Sequence, residues 1–353
     1  MGRAPLRARD NAGLTSAIWV LAALTFASGL VAALRMSETL RRRDAPPSAT
    51  DAARERAASA MRAVFDPGGY VFWLLAASIL VFVLERLRPW RRSQAVLRRG
   101  IVQDALWLVF NGHFASLLIA VPAAWASSRV DDLFAALRVP APAMVGALAG
   151  APLAAQLAVV LVVKDLLDWC VHRLLHRIPW LWEFHKVHHS IKELDWIGSF
   201  RLHWIEIVVY RSLTYLPLVV LGSDARVLLA NAVIGTLIGH LNHANLRLDW
   251  GSLRYLINSP RFHAWHHDRL PAKSHGTNFA IVFSAWDWLF GTAHYPRDVE
   301  QPASLGFDGD ERFPTSLVAR LFHPVSTWLV TVAVTGTASL RPPTPTRAED
   351  PRP

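Results

Sequence analysis

The sequence predicts an all-α integral membrane protein. Of its 353 residues, 52% are hydrophobic and 18% are charged, which is too apolar for an ordinary soluble domain. Several stretches without Asp, Glu, Lys or Arg are long enough, or nearly so, to cross the hydrocarbon core of a bilayer. We therefore expect about five to seven membrane helices rather than the core helices of a soluble protein. The uncharged stretches are residues 11–34, 67–84, 105–128, 139–163, 227–246 and 321–340.

One further apolar segment, residues 205–221, is interrupted by Glu206 and Arg211. The segment is followed by Gly222-Ser223-Asp224, a combination that is typical of turns. We therefore expect this segment to form a helical hairpin with the apolar helix at residues 227–246.

The N-terminal stretch and the cysteine content both bear on location. Residues 11–34 follow three arginines, as in a signal peptide, but the stretch is long for one and lacks a clear small-residue cleavage site. We interpret it as a membrane anchor. The single cysteine, Cys170, excludes an internal disulfide and a multi-thiolate cluster, and it fits a catalytic part that faces the cytoplasm.

The distribution of positive charge predicts the orientation in the membrane. The net charge is +10, and residues 86–99 contain six arginines. Cytoplasmic loops are enriched in Lys and Arg, so we place this run at the cytoplasmic face and expect no nucleic-acid partner. Alternation of the helices then returns the chain to that face after residue 163. The loop at residues 35–66 would lie outside although it holds seven arginines, since long loops obey this rule poorly.

Ten of the fifteen histidines lie in four short clusters with spacings of three or four residues. On a helix, positions i, i+3 and i+4 share one face, so each cluster can aim its imidazoles at a common point. Burying so many imidazoles without a metal would require a polar partner for each of them. The spacing therefore predicts a site with two metal ions. The clustered residues are His172, His176, His185, His188, His189, His240, His243, His263, His266 and His267.

Residues near the clusters predict how the histidines are oriented. Asp168 precedes His172 by four residues, so we expect its carboxylate to accept a hydrogen bond from that imidazole. Adjacent His188 and His189 point about 100 degrees apart on a helix, which favours one ring for each metal. Ser259 is expected to cap the helix that carries the last cluster.

All-histidine ligation limits the identity of the ion. Imidazole suits iron, copper, nickel and zinc, whereas magnesium and calcium prefer oxygen ligands. Two ions with open positions beside a membrane are what oxygen activation on a lipid requires. Hydrolysis by zinc usually needs only three protein ligands and a general base, so it is the weaker hypothesis. A histidine-lined metal transporter is a further alternative, although it would place its ligands along a route near the membrane midplane.

The order of the motifs HRLLH, HKVHH, HLNH and HAWHH resembles the fatty acid hydroxylase superfamily, and within it the bacterial sterol desaturase-like branch. His275-Gly-Thr-Asn278-Phe279 and the segment at residues 286–292 follow in the same order. The resemblance covers about residues 105–314. The family often has Asn-Tyr-Gly where this chain has Asn278-Phe279-Ala280, a departure at the tyrosine hydroxyl and at the glycine.

The resemblance implies a transmembrane helical stem and a cytosolic, histidine-rich helical cap that holds a dinuclear site. It implies that the ten clustered histidines bind two iron ions (Fe²⁺/Fe³⁺), and that the enzyme hydroxylates or desaturates a lipid of sterol, fatty acyl or alkylglycerol type with dioxygen. No flavin or nicotinamide fingerprint is visible, so we expect a separate electron donor, either a reductase, a ferredoxin or a cytochrome. The residues expected to support the ligands are Asp168, His203, Glu206, His275 and Asn278.

We expect three parts along the chain, in a protein of the bacterial inner membrane whose cap is cytoplasmic. Residues 1–66 would form a membrane anchor and loop, residues 67–323 the catalytic domain, and residues 324–353 an apolar segment with a disordered tail. His113, His294 and His323 lie outside the clusters, and we expect none of them to bind metal.

Overall fold

A computed structural model of the chain describes residues 66–111, 146–269 and 276–324. In these ranges the protein is helical, with two isolated β-bridges and no strand, so the all-α prediction is confirmed for the described part. The α-helices are α1 (Tyr70–Leu87), α2 (Ile101–Asn111), α3 (Leu153–Arg177), α4 (Pro179–His189), α5 (Trp204–Val220), α6 (Ala225–His243), α7 (Pro260–His266), α8 (Ala285–Leu289) and α9 (Leu317–Leu321). Short 3₁₀-helices cover Trp196–Phe200, Gly251–Tyr255 and Asp310–Arg312.

Two of these helices, α1 and α6, are long and apolar enough to cross a membrane, with 18 and 19 residues. They coincide with the predicted stretches at residues 67–84 and 227–246. The stretches at 105–128 and 139–163 are described only in part, as α2 and as the first half of α3. The stretches at 11–34 and 321–340 lie outside the described residues, apart from the first four of the latter.

The predicted hairpin is present between α5 and α6. Gly222 has a φ of +74°, a conformation that glycine adopts without steric cost, and Asp224 caps α6 by accepting a hydrogen bond from the amide of Arg226. Buried Val160, Leu218 and Val227 pack together at this end of the molecule. The start of α3 therefore lies beside the turn of the hairpin, at the opposite end from the histidines.

At the other end, the last turns of α1 and α6 are joined by one buried carboxylate. Glu85 Oε1 accepts hydrogen bonds from the amide of Trp196 at 2.9 Å and from that of Asn245 at 2.8 Å. Glu85 is buried, so these bonds replace the water that its carboxylate loses on burial. The C-terminal ends of α1 and α6 thus meet beside the 3₁₀-helix that starts at Trp196.

The histidine-bearing helices begin and end as their sequences predict. Helix α3 ends at Arg177 with Ile178 as its C-cap, and Pro179 occupies the first turn of α4, where a missing N–H costs nothing. Ser259 caps α7, and its side chain accepts a hydrogen bond from the amide of Phe262, so this prediction is confirmed. Pro260 takes the first position of that helix.

Candidate metal centre

Nine histidine side chains converge in two adjoining groups. Within each group, one ring nitrogen from every member lies within 4.8 Å of those of the others. The rings of His189 and His267, one from each group, have centroids 4.6 Å apart, so the two groups share a boundary. The first histidine group is His172, His176, His185, His189 and His266. The second histidine group is His188, His243, His263 and His267.

Four helix ends supply these rings. The last two turns of α3 carry His172 and His176, and α4 carries His185, His188 and His189. The last residue of α6 is His243, and α7 with its C-terminal cap carries His263, His266 and His267. Adjacent His188 and His189 fall into different groups, as the angle between neighbouring positions on a helix predicts. The structure therefore brings residues up to 95 positions apart in the sequence, His172 and His267, to one centre.

His240 is the one clustered histidine that lies outside both groups. Its Nε2 is 3.2 Å from Ser78 Oγ, and its Nδ1 is 3.1 Å from Ser199 Oγ. Both ring nitrogens are therefore engaged by serine hydroxyls, on α1 and on the Trp196–Phe200 3₁₀-helix. We do not include His240 in the candidate ligand set.

Backbone carbonyls fix the protonation of two rings in the second group. His188 Nδ1 is 3.2 Å from the carbonyl oxygen of Arg201, and His243 Nδ1 is 2.9 Å from that of Gly239. A carbonyl only accepts, so both Nδ1 atoms donate, and each neutral ring then carries a lone pair on Nε2. The two Nε2 atoms are 3.2 Å apart. Facing lone pairs at this distance repel unless they share a cation.

The first group shows the same pattern. His172 Nδ1 donates to the carbonyl oxygen of Phe279 at 2.7 Å, and His185 Nδ1 donates to Glu206 Oε1 at 2.8 Å. The Nε2 atoms of these two rings are 3.2 Å apart. The buried Nε2 of His189 has no hydrogen-bond partner among the described residues. These atoms fit a shared metal ion, the cation that imidazole Nε2 commonly binds.

Burial keeps these rings neutral, which is the form that binds metal. Removal from water lowers the pKa of His185, His188, His189, His263 and His267 well below the ordinary value, and the neighbouring imidazoles lower it further. A proton is therefore a poor candidate for the shared cation near pH 7. The set of neutral nitrogen donors suits iron, copper, nickel or zinc.

A short loop of backbone carbonyls orients two rings of the first group. His266 Nδ1 is 2.9 Å from the carbonyl oxygen of Thr277, and His172 Nδ1 contacts that of Phe279. Asn278 lies between them with a φ of +56°, a conformation that Asn tolerates better than most residues. Its side-chain amide donates to the carbonyl of Phe262 at 2.8 Å. Asn278 therefore lies within this carbonyl loop, residues 277–280, between the two carbonyls that contact the rings.

Asp287 holds the carbonyl loop in place. Its Oδ1 accepts from the amide of Phe279 at 2.9 Å and from Trp169 Nε1 at 3.0 Å, and its Oδ2 accepts from the amide of Ala280 at 2.9 Å. The hydroxyl of Thr292 also donates to Oδ1, at 2.6 Å. Asp287 is not among the predicted supporting residues, although it lies in the segment at residues 286–292 that carries part of the family resemblance.

The predicted hydrogen bond between Asp168 and His172 is absent. Asp168 instead forms an ion pair with Lys164, one turn earlier on α3, at 2.6 Å. A buried carboxylate gains more from a cation than from a neutral imidazole, and His172 already donates to Phe279. The role assigned to Asp168 is therefore corrected: it pairs with a helix neighbour and does not orient a ligand.

The other predicted supporting residues have different outcomes. Glu206 forms a hydrogen bond with His185, which is a member of the first group. His203 does not pair with Glu206 through its side chain: its Nε2 donates to the carbonyl of Leu321 at 3.0 Å. His275 lies outside the described residues, as does His113. His294 and His323 belong to neither histidine group.

A network of buried charges lies behind the second group. Arg98 bridges Asp104 and Asp195, with its Nη2 2.6 Å from Asp104 Oδ2 and its Nε 2.7 Å from Asp195 Oδ2. Asp104 also pairs with Arg201, the residue whose carbonyl orients His188. Arg98 is only 3% exposed, so this member of the basic run is a structural residue rather than a marker of the cytoplasmic face.

Comparison with known proteins shows what the part of the chain around this centre is similar to. The model of the fatty acid hydroxylase family matches residues 157–292, which include both histidine groups. The ornithine lipid hydroxylase OlsE of Rhizobium tropici is 33% identical over 175 residues, which cover 50% of this chain and 52% of the relative.

Two plant proteins match over nearly the same length. Methylsterol monooxygenase 1-3 of Arabidopsis thaliana is 25% identical over 162 residues, covering 43% of this chain and 55% of the relative. Very-long-chain aldehyde decarbonylase GL1-10 of Oryza sativa subsp. japonica is 27% identical over 162 residues, covering 43% and 53%. The chain thus spans about half the length of the curated relatives that it matches. No solved structure matches it significantly. Residues 157–292, which hold both histidine groups, are therefore similar to the fatty acid hydroxylase family.

Proposed function

We propose that this protein is a membrane-bound non-haem di-iron oxygenase that hydroxylates or desaturates a lipid. The observation that carries the proposal is the pair of adjoining histidine groups, in which ring nitrogens with lone pairs face one another. Relatives named as a lipid hydroxylase and a sterol monooxygenase support a lipid substrate and dioxygen as the oxidant.

In this proposal each histidine group holds one iron ion. When bound, the two irons supply the oxygen activation needed to attack an unactivated C–H bond, which no side chain can do alone. An imidazole that binds a metal ion through a ring lone pair is a neutral ligand, so such ligands leave the charge of the ions uncompensated. A bound ion would favour the ionised form of Glu206, whose carboxylate contacts His185 within the buried shell of the first group and would then offset part of that charge.

The chain itself supplies a dry and rigid site. The ring of Phe279 lies against three members of the first group, with centroid distances of 5.7 Å to His172, 5.2 Å to His176 and 5.9 Å to His266. Phe279 is fully buried, so water is excluded from this side of the centre. Exclusion of water limits side reactions of a strong oxidant and strengthens the electrostatic interactions around it.

The remaining parts of the proposal follow from the fold and from the composition. Hydroxylation would place one oxygen atom of dioxygen in the lipid and reduce the other to water, and desaturation would reduce both to water. Either reaction consumes two electrons and two protons beyond those of the lipid, so the electrons must come from a separate donor. We place the histidine centre in a cytoplasmic cap next to the apolar helices, in the inner membrane of a bacterium, with residues 67–323 as the catalytic domain.

The collection of nine candidate ligands at one place fits an enzyme better than a metal transporter, which needs ligands along a route through the membrane.

Comparative lipid analysis tests the proposed function directly. Cells that express the protein should contain a lipid class with one added oxygen atom or with two fewer hydrogen atoms. Cells that express His263→Ala should lack it, because that ring belongs to the second histidine group. The matched control is His323→Ala, which belongs to neither group. An unchanged lipid profile with intact, iron-loaded protein and a working electron donor would contradict the proposal.

A further inference from the structure

The surface beside the first histidine group carries an exposed aromatic patch. The rings of Tyr255 and Trp288 have centroids 4.8 Å apart, and Trp288 Nε1 donates to the carbonyl of Arg254 at 3.2 Å. The 3₁₀-helix Gly251–Tyr255 and helix α8 therefore form one surface. Leu289 is 70% exposed and Phe290 is 45% exposed. The aromatic patch consists of Leu253, Tyr255, Leu256, Trp288, Leu289 and Phe290.

Contacts with α3 define the level of the aromatic patch. The rings of Phe290 and Trp169 have centroids 4.6 Å apart, and Trp286 Nε1 donates to Asp165 Oδ2 at 3.0 Å. At 1.5 Å per residue, Trp169 and Asp165 precede His172 by about 5 and 10 Å along the helix. Both lie towards the uncharged first half of α3. The aromatic patch is therefore on the side of the histidine groups from which the apolar helix arrives.

Arginines border the aromatic patch. The guanidinium of Arg173 lies 5.2 Å from the ring centroid of Trp169, next to Phe290. Arg254 and Arg261 lie on the other side, where they share one carboxylate, Asp249, at 3.7 and 3.2 Å. Three arginines against one aspartate leave the border positive. A positive border around an apolar centre complements a bilayer that contains anionic headgroups.

We propose that the aromatic patch is inserted in the headgroup region of an anionic lipid bilayer, beside the uncharged first half of α3. Trp and Tyr favour this level because their rings are apolar at one end and polar at the other. The apolar side chains of such a surface enter the bilayer by about 5–10 Å. The contact holds the first histidine group close to the depth at which lipid substrates lie. The proposal concerns a surface and does not depend on the identity of the metal.

A fluorescent probe on the most exposed patch residue tests this proposal. The probe is attached to Leu289→Cys in a Cys170→Ala background, and the full chain is reconstituted in nanodiscs of phosphatidylcholine and phosphatidylglycerol. The control is Val299→Cys, which is 52% exposed. Its neighbour Glu300 pairs with Arg247, beyond the end of α6, so the control lies on the far side of the histidine groups.

We expect the probe at Leu289 to shift to shorter emission wavelength, to resist iodide in water and to be quenched by a spin label carried on the lipid headgroup or upper acyl chain. The probe at Val299 should show the opposite behaviour. Replacing phosphatidylglycerol by phosphatidylcholine, or Arg254 by Gln, should reduce the protection from iodide.

Equal iodide quenching at both positions would overturn the proposal. The proposal would also be overturned if the probe at Leu289 were protected from iodide in detergent and lost that protection on dilution. A second copy of the chain would then cover the aromatic patch. If Leu289→Cys does not give a monodisperse protein, Leu256→Cys, which is 49% exposed, takes its place. The experiment measures the depth of the probe in the bilayer and not turnover. A negative result therefore leaves the proposed oxygenase activity standing.

Discussion

The two histidine groups are built from the same residue type but are supported in different ways. The first group is oriented by one carboxylate, Glu206, and by the carbonyl loop that Asp287 holds. The second group is oriented by backbone carbonyls at Arg201 and Gly239, and Arg201 in turn pairs with the buried Asp104. Each of the motifs HKVHH and HAWHH contributes rings to both groups, so the difference between the groups comes from their supports and not from the motifs.

The support predicts how tightly each group holds its ion. A negative charge next to a ligand makes the imidazole a stronger donor and offsets the charge of the metal. A metal ion in the first group would favour the ionised form of the buried Glu206, which then supplies such a charge, whereas the contacts of His188 and His243 are with neutral carbonyls. We therefore expect the first group to retain its ion more strongly than the second.

Removal of a ligand should have the largest effect. His185→Ala is expected to empty the first group and His263→Ala the second, each with loss of about one ion per chain and of all activity. Metal analysis of the purified variants measures this directly. His323→Ala should keep both ions, since it contacts Glu183 and belongs to neither group. Equal metal loss in all three variants would remove the basis for two separate groups.

Glu206→Gln should affect one group selectively. The amide keeps the size of the side chain but removes the charge, so we expect the affinity of the first group to fall by roughly 10–100-fold, while the second group is unchanged. Titration with a chelator measures both affinities in one experiment. The natural protein should lose the ion of the second group first, and the variant should reverse that order. An unchanged order of release would show that the carboxylate does not set the difference.

Asp287→Asn should act through the carbonyl loop. An asparagine has one acceptor oxygen where the aspartate has two, so hydrogen bonds from Phe279, Ala280 or Trp169 are lost, each worth about 1–3 kcal/mol when the partner is buried. We expect a lower melting temperature and weaker metal binding in the first group only. Calorimetry measures the melting temperature, and metal analysis measures the ion content. The control is Asp249→Asn, which alters an exposed cluster of ion pairs. Equal weakening of both groups would contradict a local role.

Acid should produce the smallest of these effects. Burial lowers the pKa of His185, His188, His189, His263 and His267, so the metal-free fold binds fewer protons than the unfolded chain. Stability of the metal-free protein should therefore fall as the pH decreases below the ordinary histidine pKa of about 6.5. Thermal unfolding between neutral and mildly acidic pH measures this. A melting temperature that rises on acidification would contradict the burial of neutral rings.

Most of the metal centre is predictable because helix spacing is local. The clusters at α3, α4 and α7 place their rings on one face within one or two turns, and the structure brings them together. His240 is also spaced three residues from His243, but this spacing places it about 4.5 Å nearer the start of α6. It therefore meets Ser78 and Ser199 instead of the second group.

The support of the rings is not predictable in the same way. The bond between His172 and Phe279 joins residues 107 positions apart, and the bond between Trp169 and Asp287 joins residues 118 apart. No local pattern encodes such pairs, because they depend on how the loop folds over α3. For Asp168 a local pattern exists but gives the wrong partner. Its four-residue spacing permits a hydrogen bond with His172, but Lys164 on the same helix is the stronger partner.

The metal content of the natural protein tests the central claim most directly. Protein purified from iron-replete cells should carry about two irons per chain, one for each histidine group, since neutral imidazoles suit that ion. Zinc that replaces iron during overexpression should still bring the total to about two ions. A total of at most one ion of any kind per chain would contradict the account of two adjoining metal sites.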